Sequence, residues 1–331
     1  MTELNRKITA AALAIALACC PALSSAAGGP GTSAFQFLRL GVGARPAGMG
    51  EAFSGAAADI GAIYWNPAGL AGMERGELSM SHALWLEGIT YSNIASGRPA
   101  LGGTIGMAFN TLNSGDIQKA DNSGARLAQN YDMADMMGIF SYARLWGELA
   151  LGANLKYLSS RIEEESAHSC AVDIGAQYGG YRPWDRPLTL GLSVQNIGMA
   201  AKYVSEADPL PLIVRAGGSL ELFNGLLAVL EVNYGEKAVH FRAGTEYARA
   251  LGALVLAARA GYKDDTVRYL GALSGLTAGL GLKWNDYQLD YAWNSFTALG
   301  ITHRISLSIK FDNPDEESER PREGMVSVLS L

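Results

Sequence analysis

The residue types that most readily do chemistry are sparse in this chain and badly spaced for it. Four histidines, His82, His168, His240 and His303, fall in separate segments with no metal-ligand spacing between them, so each reads as an isolated polar group and no metal is expected. A serine hydrolase needs a nucleophile, a base and an orienting group brought together. His82 follows Ser79 and Ser81, and His303 precedes Ser306 and Ser308. In a strand, odd separations put side chains on opposite faces, so none of these serines shares a face with its histidine. No triad assembles within a segment, and pairing across strands stays open. The glycine-rich run 41–50 lacks both a following Lys-Ser/Thr and the third glycine of a dinucleotide loop. A net charge of −6 speaks against a nucleic-acid partner, whose binding site should be basic. The expectation is a binding protein without cofactor, not an enzyme.

A second set of chemical groups is richer. Asp173, Gln177, Arg215, Glu231, Arg242, Glu246, Arg259, Lys283, Asp290 and Arg304 all fall on the polar side of alternating segments. Mixed charges facing the lumen of a barrel can line a polar path. More often they pair with one another and with whatever fills the lumen.

The elements that carry these residues are marked by period-two alternation from about residue 77 to 311. In the last segment Ile301, His303, Ile305, Leu307, Ile309 and Phe311 share one face, against Thr302, Arg304, Ser306, Ser308 and Lys310. Such segments run near 76–84, 88–97, 101–112, 132–144, 149–161, 167–181, 188–196, 212–222, 226–234, 239–248, 254–262, 275–284, 287–293 and 301–311. An even count brings both chain ends to the same side, as in bacterial outer-membrane barrels. Tight turns are expected at Arg98-Pro99, Trp146-Gly147, Asn224-Gly225 and Asn285-Asp286, and longer loops at 113–131, 197–211 and 263–274. Two connections on the loop side, near Glu87 and Gly235, are short. Tyr157, Tyr178, Tyr234, Tyr247, Tyr262, Trp284, Tyr287, Trp293 and Phe311 stand where apolar faces begin or end, which suits two interfacial girdles.

Composition agrees: 40 glycines, 6 tryptophans and 14 tyrosines against 18% charged residues suit a membrane barrel better than a soluble helical protein. Residues 1–27 read as a secretory signal peptide, with Arg6 and Lys7, an apolar stretch from Ile8 to Ala18, and Ser25 and Ala27 spaced for cleavage. The pair Cys19 and Cys20 loosely resembles a lipoprotein acylation site. No later apolar stretch reaches the roughly 20 residues of a membrane helix. Cys170 then stands alone as a small apolar side chain within a strand, and residues 312–331 form an acidic, disordered tail or a periplasmic contact.

Residues 28–75 do not alternate. Small residues from Ala47 to Ala58 suit a compact helix inside a barrel, with Asn66-Pro67 turning the chain toward the first strand. This segment is expected to plug the lumen. The expected fold is therefore all-β: a transmembrane antiparallel β-barrel of about fourteen strands over 76–311, with an N-terminal plug containing a short helix.

The plug carries a resemblance. Gly43-Ala44-Arg45-Pro46-Ala47-Gly48-Met49-Gly50-Glu51-Ala52-Phe53, then Asp59, then Tyr64-Trp65-Asn66-Pro67-Ala68-Gly69-Leu70, is similar to the N-terminal signature of PorV/PorQ-type proteins within the FadL-like class of outer-membrane barrels. The resemblance implies a plugged fourteen-stranded barrel in the outer membrane, in contact with its lipid; the acidic tail departs from that plan. Members similar to FadL pass hydrophobic small molecules through an apolar pocket and a lateral opening. PorV-like members instead act with type IX secretion-system proteins, receiving exported proteins and handing them on. The first role is favoured here and the second is the alternative; a soluble periplasmic β-protein is a third.

Overall fold

The computed structural model describes residues 31–311, residue 122 excepted. The signal peptide, the Cys19-Cys20 pair and the acidic tail lie outside the described residues. Alternating apolar and polar side chains can satisfy two environments at once only if the sheet has two different faces, and closure into a barrel leaves no edge unpaired. Fourteen antiparallel strands close in that way. They are β1 Gly76–Leu84, β2 Thr90–Ala100, β3 Gly103–Asn113, β4 Met133–Trp146, β5 Leu149–Ile162, β6 Glu165–Tyr181 and β7 Leu188–Gly198, followed by β8 Ile213–Phe223, β9 Leu226–Gly235, β10 Ala238–Leu251, β11 Leu254–Lys263, β12 Leu276–Trp284, β13 Tyr287–Ser295 and β14 Ile301–Phe311. Each pairs with the next in sequence, and β14 closes on β1 with Met80 opposite Leu307.

One end of the barrel has only short connections and the other carries the long loops. The turn end includes Asn224-Gly225 and Asn285-Asp286, where Gly225 and Asn285 take the positive φ that such two-residue turns require. Pro99 does not turn: β2 continues through it, and the reversal comes at Leu101-Gly102, both left-handed. A proline at a strand terminus loses little, since few ladder bonds remain there to be made. The loop end holds two further hairpins, Ile117–Ala120 with Arg126–Tyr131 and Ala201–Lys202 with Ala207–Asp208, and a one-turn helix at Val267–Leu270. A bulge interrupts the β6/β7 register at Asp173, where Asn196 adopts a φ of 64°.

The outer wall is apolar. Met107, Phe140, Leu155, Ile174, Leu230, Phe241, Leu280 and Ile305 all stand exposed on it, as does Cys170. The core lies inside the barrel, where the N-terminal segment meets the inner faces of the strands.

That segment departs from expectation in two ways. The expected helix over 47–58 does not form: residues 49–58 are turns, and short helices lie on either side, α1 Ala44–Gly48 and α2 Ala62–Trp65, with a 3-10 turn over Pro67–Gly72. The reason lies in the wall: the Glu231 carboxylate accepts both Phe53 N–H (3.1 Å) and Ser54 N–H (2.8 Å), so these two amides bond to a strand and only isolated turns, such as Ala57 N–H to Phe53 O, form beside them. Strand parity brings the start of β1 and the end of β14 to the turn end, yet the first described residues lie at the other. Ala34 N–H donates to Pro209 O in a loop-end connection. The plug thus begins at the loop end and threads the lumen before β1 starts.

Candidate functional site: the filled lumen

Plug and wall meet over two chemically different halves of the lumen. In the half formed by β8–β14 the contacts are ionic. Arg45 on α1 donates through Nε and Nη2 to the two carboxylate oxygens of Glu246 (2.9 and 2.8 Å) and through Nη1 to Asp59 (3.1 Å). Arg259 bonds the same Glu246 and also Asp290 (2.7 Å). Glu51 takes Lys263 at 3.0 Å and Arg242 at 3.4 Å, and Arg242 reaches on to Asp265 at 2.9 Å. Arg215 pairs with Glu231 at 3.2 Å while its guanidinium lies 4.9 Å from the centre of the Trp65 ring. Arg304 donates to Gly43 O. Nearly all of these groups are buried, so each charge depends on its partner.

Asp265, in the loop after β11, shows the balance outside the wall. Burial opposes its charge, but Arg242 and Lys263 outweigh burial and hold the carboxyl well below the usual carboxylate range.

In the half formed by β2–β6 the side-chain packing is mainly apolar, joined by neutral hydrogen bonds from Asn154 to Ile63 O and from Gln177 to Ser54 O and Ala57 O. Phe35, Phe37 and Leu38 of the plug, with Ile63 and Leu70, belong to one buried cluster with Tyr91 on β2, Leu112 on β3, Met137 and Ile139 on β4, and Leu158 on β5. Phe37 packs edge-on against Tyr91, and Phe35 lies against Tyr203 from a loop. One ionic knot lies within the wall of this half: Lys156 on β5 bonds Asp173 on β6 (2.7 Å), which also accepts Asn154 and the Asn196 N–H at the bulge.

Two further devices seat the plug. Asn66 accepts Ala68 N–H through Oδ1 and donates through Nδ2 to Ser54 O (2.9 Å) and Ala176 O (3.1 Å), which locks the Asn-Pro-Ala-Gly turn to itself and to β6. Inward-facing glycines supply the clearance. A β-carbon at Gly152, Gly175, Gly191, Gly244 or Gly261 would collide with Pro67, Asn66, Ser54, Met49 or Gly50 respectively. Gly69 likewise has no room beside Ala57, and Gly48 and Gly50 bond Thr277 on β12 through Gly48 O and Gly50 N. Much of the glycine content of the strands is thereby explained by backbone-to-backbone approach.

At the turn end, below the plug, lies a polar recess of about 160 Å³ lined by Arg45, Asp59, Glu77, Lys283, Asp290 and Lys310. The plug residues Gly43, Met49, Asp59, Pro67 and Ala68 and the wall residues Asp173, Arg215, Arg242, Glu246, Arg259, Lys283, Asp290 and Arg304 therefore line one filled space and the recess below it, with all of the charged set but Asp173 on the β8–β14 side. Sequence reasoning missed Glu51, Lys156, Lys263 and Asn154. Lys156 was available from the alternation of β5, whose inward row is Ala150, Gly152, Asn154, Lys156 and Leu158. It missed the apolar half altogether, because apolar inward residues on β3 and β4 leave no alternation to mark them.

The histidines do not enter the lumen chemistry. His82 lies 2.9 Å from Ser92 Oγ across β1 and β2, but the pair faces outward and no carboxylate among the described residues completes it. His168 and His303 stack on Tyr157 and Tyr291 on the outer wall, and His240 sits 3.1 Å from Asp264. Among the described residues no cluster of His, Cys, Asp and Glu could hold a metal ion.

Comparison with known proteins adds the following. No family model matches the chain. A curated relative, the UPF0164 protein of Treponema pallidum (strain Nichols), is 30% identical over 206 residues, covering 57% of this chain and 51% of its own length. The chain thus spans about half the length of that relative. Among solved structures, the toluene transporter TbuX of Ralstonia pickettii superposes with a TM-score of 0.58 at 12% identity, over 82% of this chain and 99% of that one. The TodX monoaromatic hydrocarbon channel, as its deltaS2 mutant, gives 0.54 at 11% over 82% and 99%, and a Pseudomonas aeruginosa FadL homologue 0.52 at 11% over 82% and 98%. The fold is FadL-like. At these identities the likeness speaks for the FadL-like architecture of closed barrel and N-terminal segment.

Proposed function

We propose that this chain is an outer-membrane barrel that passes hydrophobic small molecules along the apolar half of its lumen, the plug yielding on that side. The observation that carries the reading is that, among the described residues, the plug's ion pairs to the wall lie on the β8–β14 side, Lys156–Asp173 being a pair within the wall itself. Separating a buried ion pair leaves uncompensated charge and costs about 3–5 kcal/mol. Replacing one apolar contact by another exchanges similar buried surface at little net cost. A hydrophobic guest can therefore take the place of Phe35, Phe37 or Leu38 against Tyr91, Leu112 and Met137, while Arg45 and Glu51 keep the rest of the plug anchored. The apolar outer wall supports a membrane setting, and the neighbours described as a toluene transporter and a monoaromatic hydrocarbon channel support the guest class. The role of partner to a type IX-like secretion system draws no support from these relatives.

The test is uptake. A deletion strain should take up a labelled monoaromatic compound or long-chain fatty acid more slowly than its parent, and the wild-type chain should restore the rate. Leu112→Glu, which puts a charge in the apolar half, should fold as a heat-modifiable barrel yet fail to restore it. Unchanged uptake in the deletion strain, together with protein purified free of any apolar ligand, would overturn the reading.

A further inference from the structure

The outer wall is not uniformly convex. Over β10–β13 it holds an apolar recess of about 520 Å³, within the range of small-molecule sites, lined by Tyr247, Arg249, Leu256, Ala258, Leu280 and Tyr291 among others. Strand register explains the hollow. One row across the four strands reads Tyr247, Ala258, Leu280, Tyr291, and the next toward the loop end reads Thr245, Ala260, Ala278, Trp293. Alanines thus form a floor between taller side chains. On the turn-end side the row reads Arg249, Leu256, Leu282, Leu289, which sets one exposed guanidinium at the mouth of an otherwise apolar trough. Close by, Trp284 on β12 stacks with Tyr287 on β13, and their rings, 6.5 Å apart, mark a headgroup level.

We infer that this recess binds one anionic glycerophospholipid of the periplasmic leaflet, its phosphate on Arg249 and an acyl chain laid over Ala258 toward Ala260 and Ala278. The reading rests on the membrane-spanning function proposed above. Charge and shape both select the occupant. A planar guanidinium matches phosphate through paired hydrogen bonds. The recess itself spans the Arg249 and Tyr247 rows; an acyl chain that continues from it to the Thr245 row covers four residues, about 13 Å at 3.3 Å per residue, close to one leaflet of a hydrocarbon core about 30 Å thick. The lipid would cover β10–β13, the strands that hold Glu246, Arg259 and Asp290 on their inner faces.

The experiment is native mass spectrometry of the full chain folded in neutral detergent, titrated in parallel with phosphatidylglycerol and with oleate. A heat-modifiability gel on the same samples reports whether the barrel is folded. One phosphatidylglycerol should stay bound per barrel, and Arg249→Gln should weaken retention about fivefold, the effect of one cation at an anionic lipid surface. Ala258→Leu, which fills the floor from outside, should weaken it as well, whereas Arg144→Gln on the far wall should not. The inference fails if a heat-modifiable barrel retains no lipid, if Arg144→Gln lowers retention as much as Arg249→Gln, or if oleate is kept equally well whatever stands at 249. A chain that shows no heat-dependent shift would remove the membrane-spanning reading and this inference with it.

Discussion

The two halves of the lumen hold the same plug by different means. On the β8–β14 side Arg45, Glu51 and the backbone at 43–54 are fixed by directional, charge-dependent bonds to Glu246, Lys263, Arg242, Glu231 and Arg304. On the β2–β6 side the side chains of Phe35, Phe37, Leu38, Ile63 and Leu70 are held by apolar burial with Tyr91, Leu112, Met137 and Leu158, and the Ile63 carbonyl accepts a neutral hydrogen bond from Asn154. Ionic contacts are costly to break and specific to their partner, while apolar contacts accept any filler of suitable shape. Under the function proposed above, a barrel that stays closed and still admits a guest gains from keeping the two apart.

The largest expected effect comes from Glu246→Gln. It leaves the Arg45 and Arg259 guanidiniums buried with one carboxylate fewer between them, and stability should fall by about 3–5 kcal/mol, read as a lowered unfolding temperature in detergent. Adding Arg45→Met should recover a large part of the loss, because the stranded charge is then gone. Recovery is the diagnostic point: a Glu246→Gln barrel as stable as wild type would mean that the charged half does not anchor the plug.

Met137→Ala tests the opposite half. Met137 is fully buried, and its truncation should cost about 2–5 kcal/mol, with Met137→Leu costing less than about 1.5 kcal/mol. No second deletion should rescue it, but an apolar compound should, since a dry cavity binds apolar guests and ligand binding to the folded state raises stability. Stabilisation of Met137→Ala by toluene, with none for Glu246→Gln, would sharpen the contrast; equal response in both variants would erase it.

These contrasts mark what the sequence makes legible. The strands are readable because alternation is forced wherever one face meets apolar surroundings and the other polar ones, as in Ile301–Phe311, which forms a strand over the full span expected. The charged inner face is readable for the same reason. The plug is different. Its conformation between Met49 and Gly61 is set by groups 120 to 178 residues away, Glu231 on the Phe53 and Ser54 amides and Gln177 on the Ser54 and Ala57 carbonyls. Local propensity favours a helix there, and the wall overrides it. The glycines opposite the plug, such as Gly191 and Gly244, register in composition but not in position until the register of the strands is known.

Asn66→Ala addresses the seam between the halves. The change removes one acceptor and two donations, to Ser54 O and Ala176 O, and should cost about 1–3 kcal/mol, seen as a lower unfolding temperature with an unaltered barrel signature in circular dichroism. A loss as large as that of Glu246→Gln would move the main anchor of the plug from the ion pairs to this turn.

The smallest effect expected is at the outermost link of the charged half, and it carries a pH signature. Asp265 has its carboxyl held below the ordinary range by Arg242 and Lys263, against the opposing influence of burial. A group whose folded value is lowered contributes stability above its unfolded value, about 3.9 for aspartate, and loses it as pH falls through the folded one. Asp265→Asn should therefore cost about 1–2 kcal/mol at pH 7, because Arg242 keeps Glu51 as a second partner. The gap between variant and wild type should narrow as pH drops below about 4. Thermal unfolding of both proteins at pH 7, 5 and 3.5 measures it. A gap that is constant across the series would assign Asp265 a shape-dependent role in its loop and end the ionic chain at Glu51; a gap that closes extends that chain from α1 to the loop end of the barrel.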